Sequence, residues 1–199
     1  MSQPVNLTIA PDEGQNRLWG IPFFGILARS IIVIPHLIVL FVLGIGLSLL
    51  AFVSWIPVLL GGRQAGWAYA VAEAYFTVWA RVMVYLSLAT GAYPPFGWTG
   101  AHPVTVSFDR DETQNRLWGI PFFGVFVRWI LLIPHGIVLG ILGIVLGLLY
   151  VVTWIPDLVS GRQAPAIVSF IGGVHRWSIR VTAYGLLLSG TYPPFGFGD

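Results

Sequence analysis

The chain has 199 residues, of which 56% are hydrophobic and 9% are charged, and its formal net charge is +2. Soluble domains carry about 25% charged residues, so this composition excludes an ordinary soluble fold, which could not cover its surface with so few charges. The chain has no cysteine, which excludes disulfides and cysteine-ligated metals. Without a polybasic block it also offers no surface to nucleic acid.

A short β-strand is predicted near the start of the chain and again near its middle. Val5, Leu7 and Ile9 alternate with other residues, and a similar alternation returns over 104–108. A period of two is typical of a strand that buries one face. The two strands are expected on the same side of the membrane, where they could pair with each other.

An amphipathic stretch, 18–34, follows the first strand, and its equivalent follows the second. Pro22 and Pro35 bracket one helical segment, because proline interrupts a helix. The stretch 26–60 would measure about 52 Å as one helix, which exceeds the thickness of the hydrocarbon core. We therefore expect a bend at Pro35, with an interfacial helix before it.

Long apolar runs predict membrane-spanning helices. The run 37–57 contains no charged residue, and about 20 such residues are enough to cross a hydrocarbon core of ~30 Å. The runs predict four spans, at 36–57, 67–89, 135–156 and 166–188.

An internal duplication relates the two halves of the chain, 1–99 and 100–199. A shift of 99 residues superposes QNRLWGIPFFG at 15–25 on the identical string at 114–124. The same shift aligns IPH, WIP, GRQA and YPPFG, and about half of the aligned positions are identical. Since two spans return the chain to its starting side, the predicted fold is all-α and membrane-embedded. It has four transmembrane helices as two parallel tandem helical hairpins, each preceded by a short β-strand and an interfacial amphipathic helix.

The distribution of arginines predicts the orientation. Seven arginines lie outside the predicted spans, and the positive-inside rule counts such residues on either side of the membrane. Five lie on the side of the termini and two lie opposite; in that order they are Arg17, Arg29, Arg110, Arg116 and Arg128, then Arg63 and Arg162. Both termini are therefore predicted to be cytoplasmic in a multi-pass protein.

Charged and polar residues inside the predicted spans are candidates for function, because such residues are costly in lipid. They are Arg81 and Arg180 at equivalent positions, together with Glu73, His175 and Arg176. One interpretation is an ion or anion pathway. The other, which we favour, is an internal polar clamp, with Glu73 pairing with Arg176 or Arg180 of the other repeat.

His36 and His135 follow Ile-Pro at equivalent positions of the two repeats. A neutral imidazole in a membrane helix can ligate a haem or a chlorophyll-type pigment. The alternative is a polar residue at the interface, where a histidine needs no cofactor. Arg29 precedes His36 by seven residues and lies on the same helical face, which favours a stripe that faces lipid headgroups.

Small residues predict where helices pack, since small side chains allow close approach in lipid. The third predicted span has a stripe of Gly136, Gly140, Gly143 and Gly147, whereas the first keeps only Gly44 and Ser48 of it. We expect one of these faces to meet the sister repeat and the other to meet a partner or lipid.

The motifs RLWGIPFFG, IPH, WIP, GRQ and YPPFG, each present twice, resemble those of an uncharacterised family of bacterial membrane proteins, a domain of unknown function that often occurs in tandem. The resemblance covers nearly the whole chain. It implies a bacterial cytoplasmic (inner) membrane protein with two spans per copy, and it implies no activity.

No nucleophile–base set, phosphate-binding glycine loop or HExxH motif occurs in the sequence, so we expect no enzyme, no metal site and no bound cofactor. The leading hypothesis is a non-catalytic accessory or scaffold subunit that packs against itself or against other membrane subunits. The alternatives are a haem- or chlorophyll-binding subunit of an electron-transfer or light-harvesting assembly, through His36 and His135, and a small channel or transporter.

Overall fold

The computed structural model describes residues 5–10, 14–110 and 113–198. The first repeat contains β1 (Val5–Ile9), a 3-10 helix (Arg17–Gly20), α1 (Phe24–Ile32), α2 (Ile34–Val53), α3 (Trp55–Gly61) and α4 (Gly66–Leu86). The second contains β2 (Val104–Phe108), a 3-10 helix (Arg116–Gly119), α5 (Phe123–Leu131), α6 (Ile133–Val152), α7 (Trp154–Ser160) and α8 (Pro165–Gly185). The same elements recur in the same order, as the duplication predicts.

Proline sets the helix boundaries that the apolar runs alone do not show. The run predicted as one span at 36–57 is divided, since α2 ends at Val53 and α3 begins at Trp55. Pro57 has no N–H to donate to the carbonyl of Val53, so the helical ladder is interrupted there. Pro35 has the same effect between α1 and α2, which confirms the predicted break.

The two strands pair as an antiparallel sheet, in which Val5 lies opposite Phe108 and Ile9 lies opposite Val104. One face of the sheet is apolar and covered by helices. The other face is exposed and entirely polar, and consists of Asn6, Thr8, Thr105 and Ser107. The predicted strands and their pairing are therefore confirmed.

Each strand runs along a helix of the other repeat, in the opposite direction. The start of β2 lies beside Arg81 near the end of α4, because the Nε of Arg81 donates to the carbonyl of Val104 at 3.2 Å. Arg110, just past the end of β2, forms a salt bridge with Glu73 in the first half of α4.

The same geometry relates β1 of the first repeat to α8 of the second. The Nε of Arg180 donates to the carbonyl of Val5 at 3.1 Å, and the Nε of Arg176 donates to that of Leu7 at 3.1 Å. Because β1 and β2 are antiparallel to each other, α4 and α8 are also antiparallel.

The expected parallel arrangement of the two hairpins is therefore wrong. Counting two spans per repeat overlooks the strand, since β2 carries the chain back along the length of α4 before α6 begins. His36 at the start of α2 contacts Pro94, which follows α4, so each hairpin is itself antiparallel. The two repeats are related by a pseudo-two-fold axis that is perpendicular to their helices.

The fold has three layers, with α4 and α8 in the middle. Phe76 of α4 packs against Phe108 of the sheet with ring centroids 6.1 Å apart, whereas Val78 packs against α2. Residues two positions apart point about 200° apart on a helix. The sheet and α2 therefore cover opposite faces of α4, and α2 and α6 form the third layer.

The two repeats are interlocked through their 3-10 helices. The backbone N–H of Gln15 donates to the carbonyl of Gly161 at 2.8 Å, and that of Gln114 donates to Gly62 at 2.8 Å. A Cβ added to Gly20 would lie 2.1 Å from the backbone nitrogen of Leu158. Only glycine permits this approach, so the first 3-10 helix packs directly on α7 and the second packs directly on α3.

Candidate membrane-binding surface

The third layer is apolar and largely uncovered. Over Ile34–Val53 the mean hydropathy is 2.6 with 17% of the residues buried, and over Ile133–Ser160 it is 2.5 with 11% buried. These two helices are long and apolar enough to cross a membrane. α4 and α8 are not among the helices that are apolar enough to cross a membrane, and many of their side chains are buried inside the protein.

The exposed apolar side chains of this layer form continuous stripes. They recur every three or four residues, which places them on one face of each helix. The stripe on α2 is Ile34, Ile38, Phe41, Ile45, Leu49 and Phe52, and that on α6 is Ile133, Ile137, Ile141, Ile144 and Leu148. Apolar patches of this extent mark surfaces that meet a membrane or another protein.

Two phenylalanines extend this surface from equivalent turns before α1 and α5. Phe23 and Phe122 have φ angles of 61° and 59°, a left-handed conformation that is unfavourable for a bulky residue. Their side chains are 59% and 64% exposed. The chain passes close to itself inside this turn, since a Cβ on Gly25 would lie 1.8 Å from the carbonyl oxygen of Trp19. The turn directs an aromatic ring outward in each repeat.

Arg81 and Arg180, which were predicted to lie inside the membrane, bind backbone carbonyls of the sheet. Besides Val104, Arg81 donates to the carbonyls of Gly97 at 3.0 Å and Gly100 at 3.4 Å. Arg180 donates to the carbonyl of Gly198 as well as to that of Val5. Each guanidinium therefore binds carbonyls along the outer edge of a strand and in the loop beside it, as an internal clamp would.

The other polar residues of α4 and α8 have separate partners. Arg176 binds Leu7 and the carbonyl of Phe197 at 3.2 Å, and the Nε2 of His175 lies 3.2 Å from the hydroxyl of Tyr150. The predicted pairing of Glu73 with an arginine of α8 is wrong, because its partner is Arg110.

His102 lies in the loop that Arg81 binds. Burial, and secondarily the positive charge of Arg81, lower the pKa of His102 from its ordinary value of 6.5. The neutral ring accepts a hydrogen bond at Nδ1 from the N–H of Val104 at 3.0 Å, so it helps to position the first residue of β2.

The two candidate ligand histidines are enclosed by the YPPFG motifs. His36 bonds the carbonyl of Pro94 at 2.8 Å and stacks on Phe96 with a centroid distance of 4.4 Å. His135 accepts from the indole N–H of Trp177 at 3.0 Å, and a phenylalanine ring stacks on it at 3.8 Å. Both side chains are 0% exposed. This enclosure leaves no room for a haem or chlorophyll ring, so the residues do not fit such a group.

A family model described as Domain of unknown function (DUF4389) matches the chain twice, over residues 25–97 and 124–196. The chain belongs to the DUF4389 family. This confirms the resemblance to a domain of unknown function in two tandem copies. No curated protein and no solved structure matches the chain.

The two DUF4389 matches run from α1 to the first YPPFG motif and from α5 to the second. Both enclosed histidines and all three strand-binding arginines lie inside them. The strands and the 3-10 helices lie outside. In this chain, therefore, the matched region supplies the two hairpins, while the elements that join the repeats are additional to it.

Two buried arginines of the DUF4389 repeats are more important than the sequence suggests. Arg29 and Arg128 are 0% exposed, so the proposed headgroup-facing stripe is wrong. Arg29 donates to the carbonyls of Tyr85 at 2.6 Å and Thr90 at 2.8 Å, where the end of α4 leaves carbonyls without helical partners. The seven-residue spacing to His36 did indicate a shared face, but that face is buried.

The predicted glycine stripe has no neighbour within the described residues. A Cβ on Gly136, Gly140, Gly143 or Gly147 would meet nothing within 4 Å, whereas one on Gly44 would lie 3.6 Å from the ring of Tyr75. Ser48 is exposed and donates to the carbonyl of Gly44. The expectation that one of these two faces meets the sister repeat is therefore wrong, since Gly44 faces Tyr75 of its own repeat and the α6 stripe meets no described residue. Packing of the α6 stripe against a partner or lipid stays a prediction.

Proposed function

We propose that this DUF4389 protein is a non-catalytic scaffold of the bacterial cytoplasmic membrane, seated in one leaflet with its sheet facing the cytoplasm. The observation that carries the proposal is the change in polarity across the three layers. α2 and α6 expose apolar stripes, and the opposite surface is the polar face of the sheet. The polarity changes perpendicular to the helices, so the helices lie in the membrane plane.

Spanning helices would carry the sheet through the hydrocarbon. Because α4 and α8 are antiparallel and each strand lies along one of them, a protein with upright helices would hold β1 and β2 at membrane depth. Their exposed face carries Asn6, Thr8, Thr105 and Ser107. A two-stranded sheet with a polar face is not tolerated against lipid, so this orientation is disfavoured.

The dimensions fit a single leaflet. Neighbouring helices pack with their axes about 8–10 Å apart, and helices that lie in the membrane plane bury their apolar face roughly 5–10 Å deep. α2 and α6 would lie among the acyl chains, α4 and α8 would lie near headgroup level, and the sheet would lie in water.

The cytoplasmic orientation rests on fewer charges than the sequence suggests. Arg29 and Arg128 are buried in the protein and are removed from the positive-inside count. In the planar arrangement the turns that carry Arg63 and Arg162 lie on the sheet side, since Arg63 forms a bridge with Thr113 beyond β2. All exposed arginines are then on one side, which supports the cytoplasmic face.

Labelling of single cysteines distinguishes the orientations, because the natural chain has none. Asn6→Cys, Thr105→Cys, Arg63→Cys and Arg162→Cys each place one thiol at an exposed position. In sealed vesicles we expect an impermeant maleimide to label all four in inside-out preparations, and none in right-side-out preparations.

The competing arrangements give different patterns. Two parallel spanning hairpins would place positions 63 and 162 together on the side opposite to positions 6 and 105. Upright antiparallel repeats would place 63 and 162 on opposite sides from each other. Either pattern would overturn the planar orientation, and release of the protein by an alkaline carbonate wash would overturn the membrane location itself.

The scaffold role predicts which surface of the protein binds a partner. Backbone carbonyls on the outer edges of β1 and β2 are bound by arginines, so a partner would bind the flat polar face of the sheet rather than extend it. We expect a photoreactive cross-linker at Thr105→Cys in native membranes to capture a specific protein, and one at Phe41→Cys to capture lipid. Protein adducts only at position 41 would contradict this role.

A further inference from the structure

A cavity lies between the start of α8 in the second repeat and two segments of the first repeat. It has a volume of 620 Å³ and lies between the turn after α7, the start of α8 and β1, with Ile9, Ala89 and Val168 among its lining residues. Pockets for small molecules span about 300–1,000 Å³. The cavity is therefore large enough for a ligand with a ring.

The equivalent place in the first repeat is filled by the protein's own side chains. At the offset of 99 residues, Val168 corresponds to Tyr69 and Ile9 corresponds to Phe108. Tyr69 is 1% exposed, and its ring centroid lies 6.4 Å from that of Phe108. Replacing two aromatic rings by two smaller side chains is the physical origin of the cavity.

The first repeat also indicates which polar group a ligand in the cavity would contact. The hydroxyl of Tyr69 donates to the carbonyl of Leu188 at 3.0 Å. The equivalent carbonyl belongs to Ala89, which lines the cavity and is 3% exposed. In the described part of the chain no hydrogen bond to that carbonyl is formed, so an acceptor is available where Tyr69 would place its hydroxyl.

We propose that this cavity binds a hydroxyl-bearing aromatic molecule, a phenol in chemical class, whose ring takes the place of the Tyr69 side chain and whose hydroxyl donates to the carbonyl of Ala89. The remainder of the molecule extends toward the exposed side chains of Arg162 and Ser169 at the rim. This site is independent of how the protein lies in the membrane.

The test uses 4-methylphenol, which reproduces the tyrosine side chain, with the full chain in mild detergent and binding followed by ligand-observed NMR. We expect one saturable site in the natural protein. Val168→Tyr introduces the side chain found at the equivalent position of the first repeat and should abolish binding. The signal that remains in this variant measures partition of 4-methylphenol into micelles. Tyr69→Val opens the equivalent space beside Leu188 and gives a second site.

Toluene tests the hydroxyl, because it has the same ring without the donor. One neutral hydrogen bond is worth about fivefold in affinity, so toluene should bind roughly fivefold more weakly. Equal affinities would overturn the phenol assignment and indicate a purely apolar guest such as an acyl chain. Binding that is unchanged in Val168→Tyr, or no saturable binding by the natural chain, would overturn the site.

Discussion

Replacing Arg29 by methionine is expected to lower the free energy of unfolding by about 3–5 kcal/mol, because it removes a buried charged donor from a network of buried acceptors. The guanidinium binds the carbonyls of Tyr85 and Thr90 and the side-chain oxygen of Gln15. Gln15 in turn donates to Asp157 at 2.7 Å, so the change also removes a positive charge from this network. The thermal midpoint in detergent should fall by roughly 10 °C.

The second repeat supplies a matched control for this substitution. Arg128 has the same environment at the end of α8, with its guanidinium bound to the carbonyls of Tyr184 at 2.9 Å and Ser189 at 2.5 Å. However, the position equivalent to Asp157 is Val58. Arg128→Met should therefore cost less than Arg29→Met.

Adding Asp157→Val to Arg29→Met should recover part of the lost stability, since it removes a buried carboxylate that has lost the nearby charge of Arg29. Equal losses in the two single arginine variants, with no recovery in the double variant, would refute the role given to Asp157. A loss below about 0.5 kcal/mol, the size of an ordinary surface change, would refute the importance of the buried arginines altogether.

Gly119→Ala is expected to cost about 3 kcal/mol, at the upper end of the range for overpacking, because the new methyl group would meet backbone atoms. Its Cβ would lie 2.2 Å from the nitrogen and 2.5 Å from the Cα of Leu59. Backbone cannot rotate away as a side chain can, so the second 3-10 helix would separate from α3. The thermal midpoint of the full chain in detergent measures the effect.

Gly143→Ala is the control for that experiment. Nothing lies within 4 Å of the added Cβ, and alanine is favoured over glycine inside a helix by roughly 0.5–1 kcal/mol. The variant should be neutral or slightly more stable. If it is as damaging as Gly119→Ala, the stripe on α6 packs against a second chain, and the contrast between the two glycines is lost.

The local features of this fold could be predicted from the sequence, because they follow from residue periodicity. The alternation at Val5, Leu7 and Ile9 identified β1, and the apolar runs identified α2 and α6. Pro35 marked a helix break for a local reason, the missing N–H. Pro57 acts in the same way, inside an apolar run that the sequence predicts as one continuous span.

The direction of the repeats could not be predicted in this way, because it depends on contacts between distant residues. A span count treats a strand of five residues as part of a loop, whereas β2 runs along α4 and reverses the second repeat. The partners of Arg81 and Glu73 were missed for the same reason. They lie in β2 and its flanking segments, which hydropathy gives no reason to place beside a helix.

The exchange of 3-10 helices also determines what can fold as a unit. Each repeat leaves the backbone of its own α3 or α7 turn to be covered by the other, at Gly62 and at Gly161. One repeat alone would therefore leave the backbone of this turn uncovered and its own 3-10 helix without a packing partner. Two identical copies could supply both contacts to each other. A self-complementary dimer of single repeats would make the same contacts between two molecules that this chain makes within one.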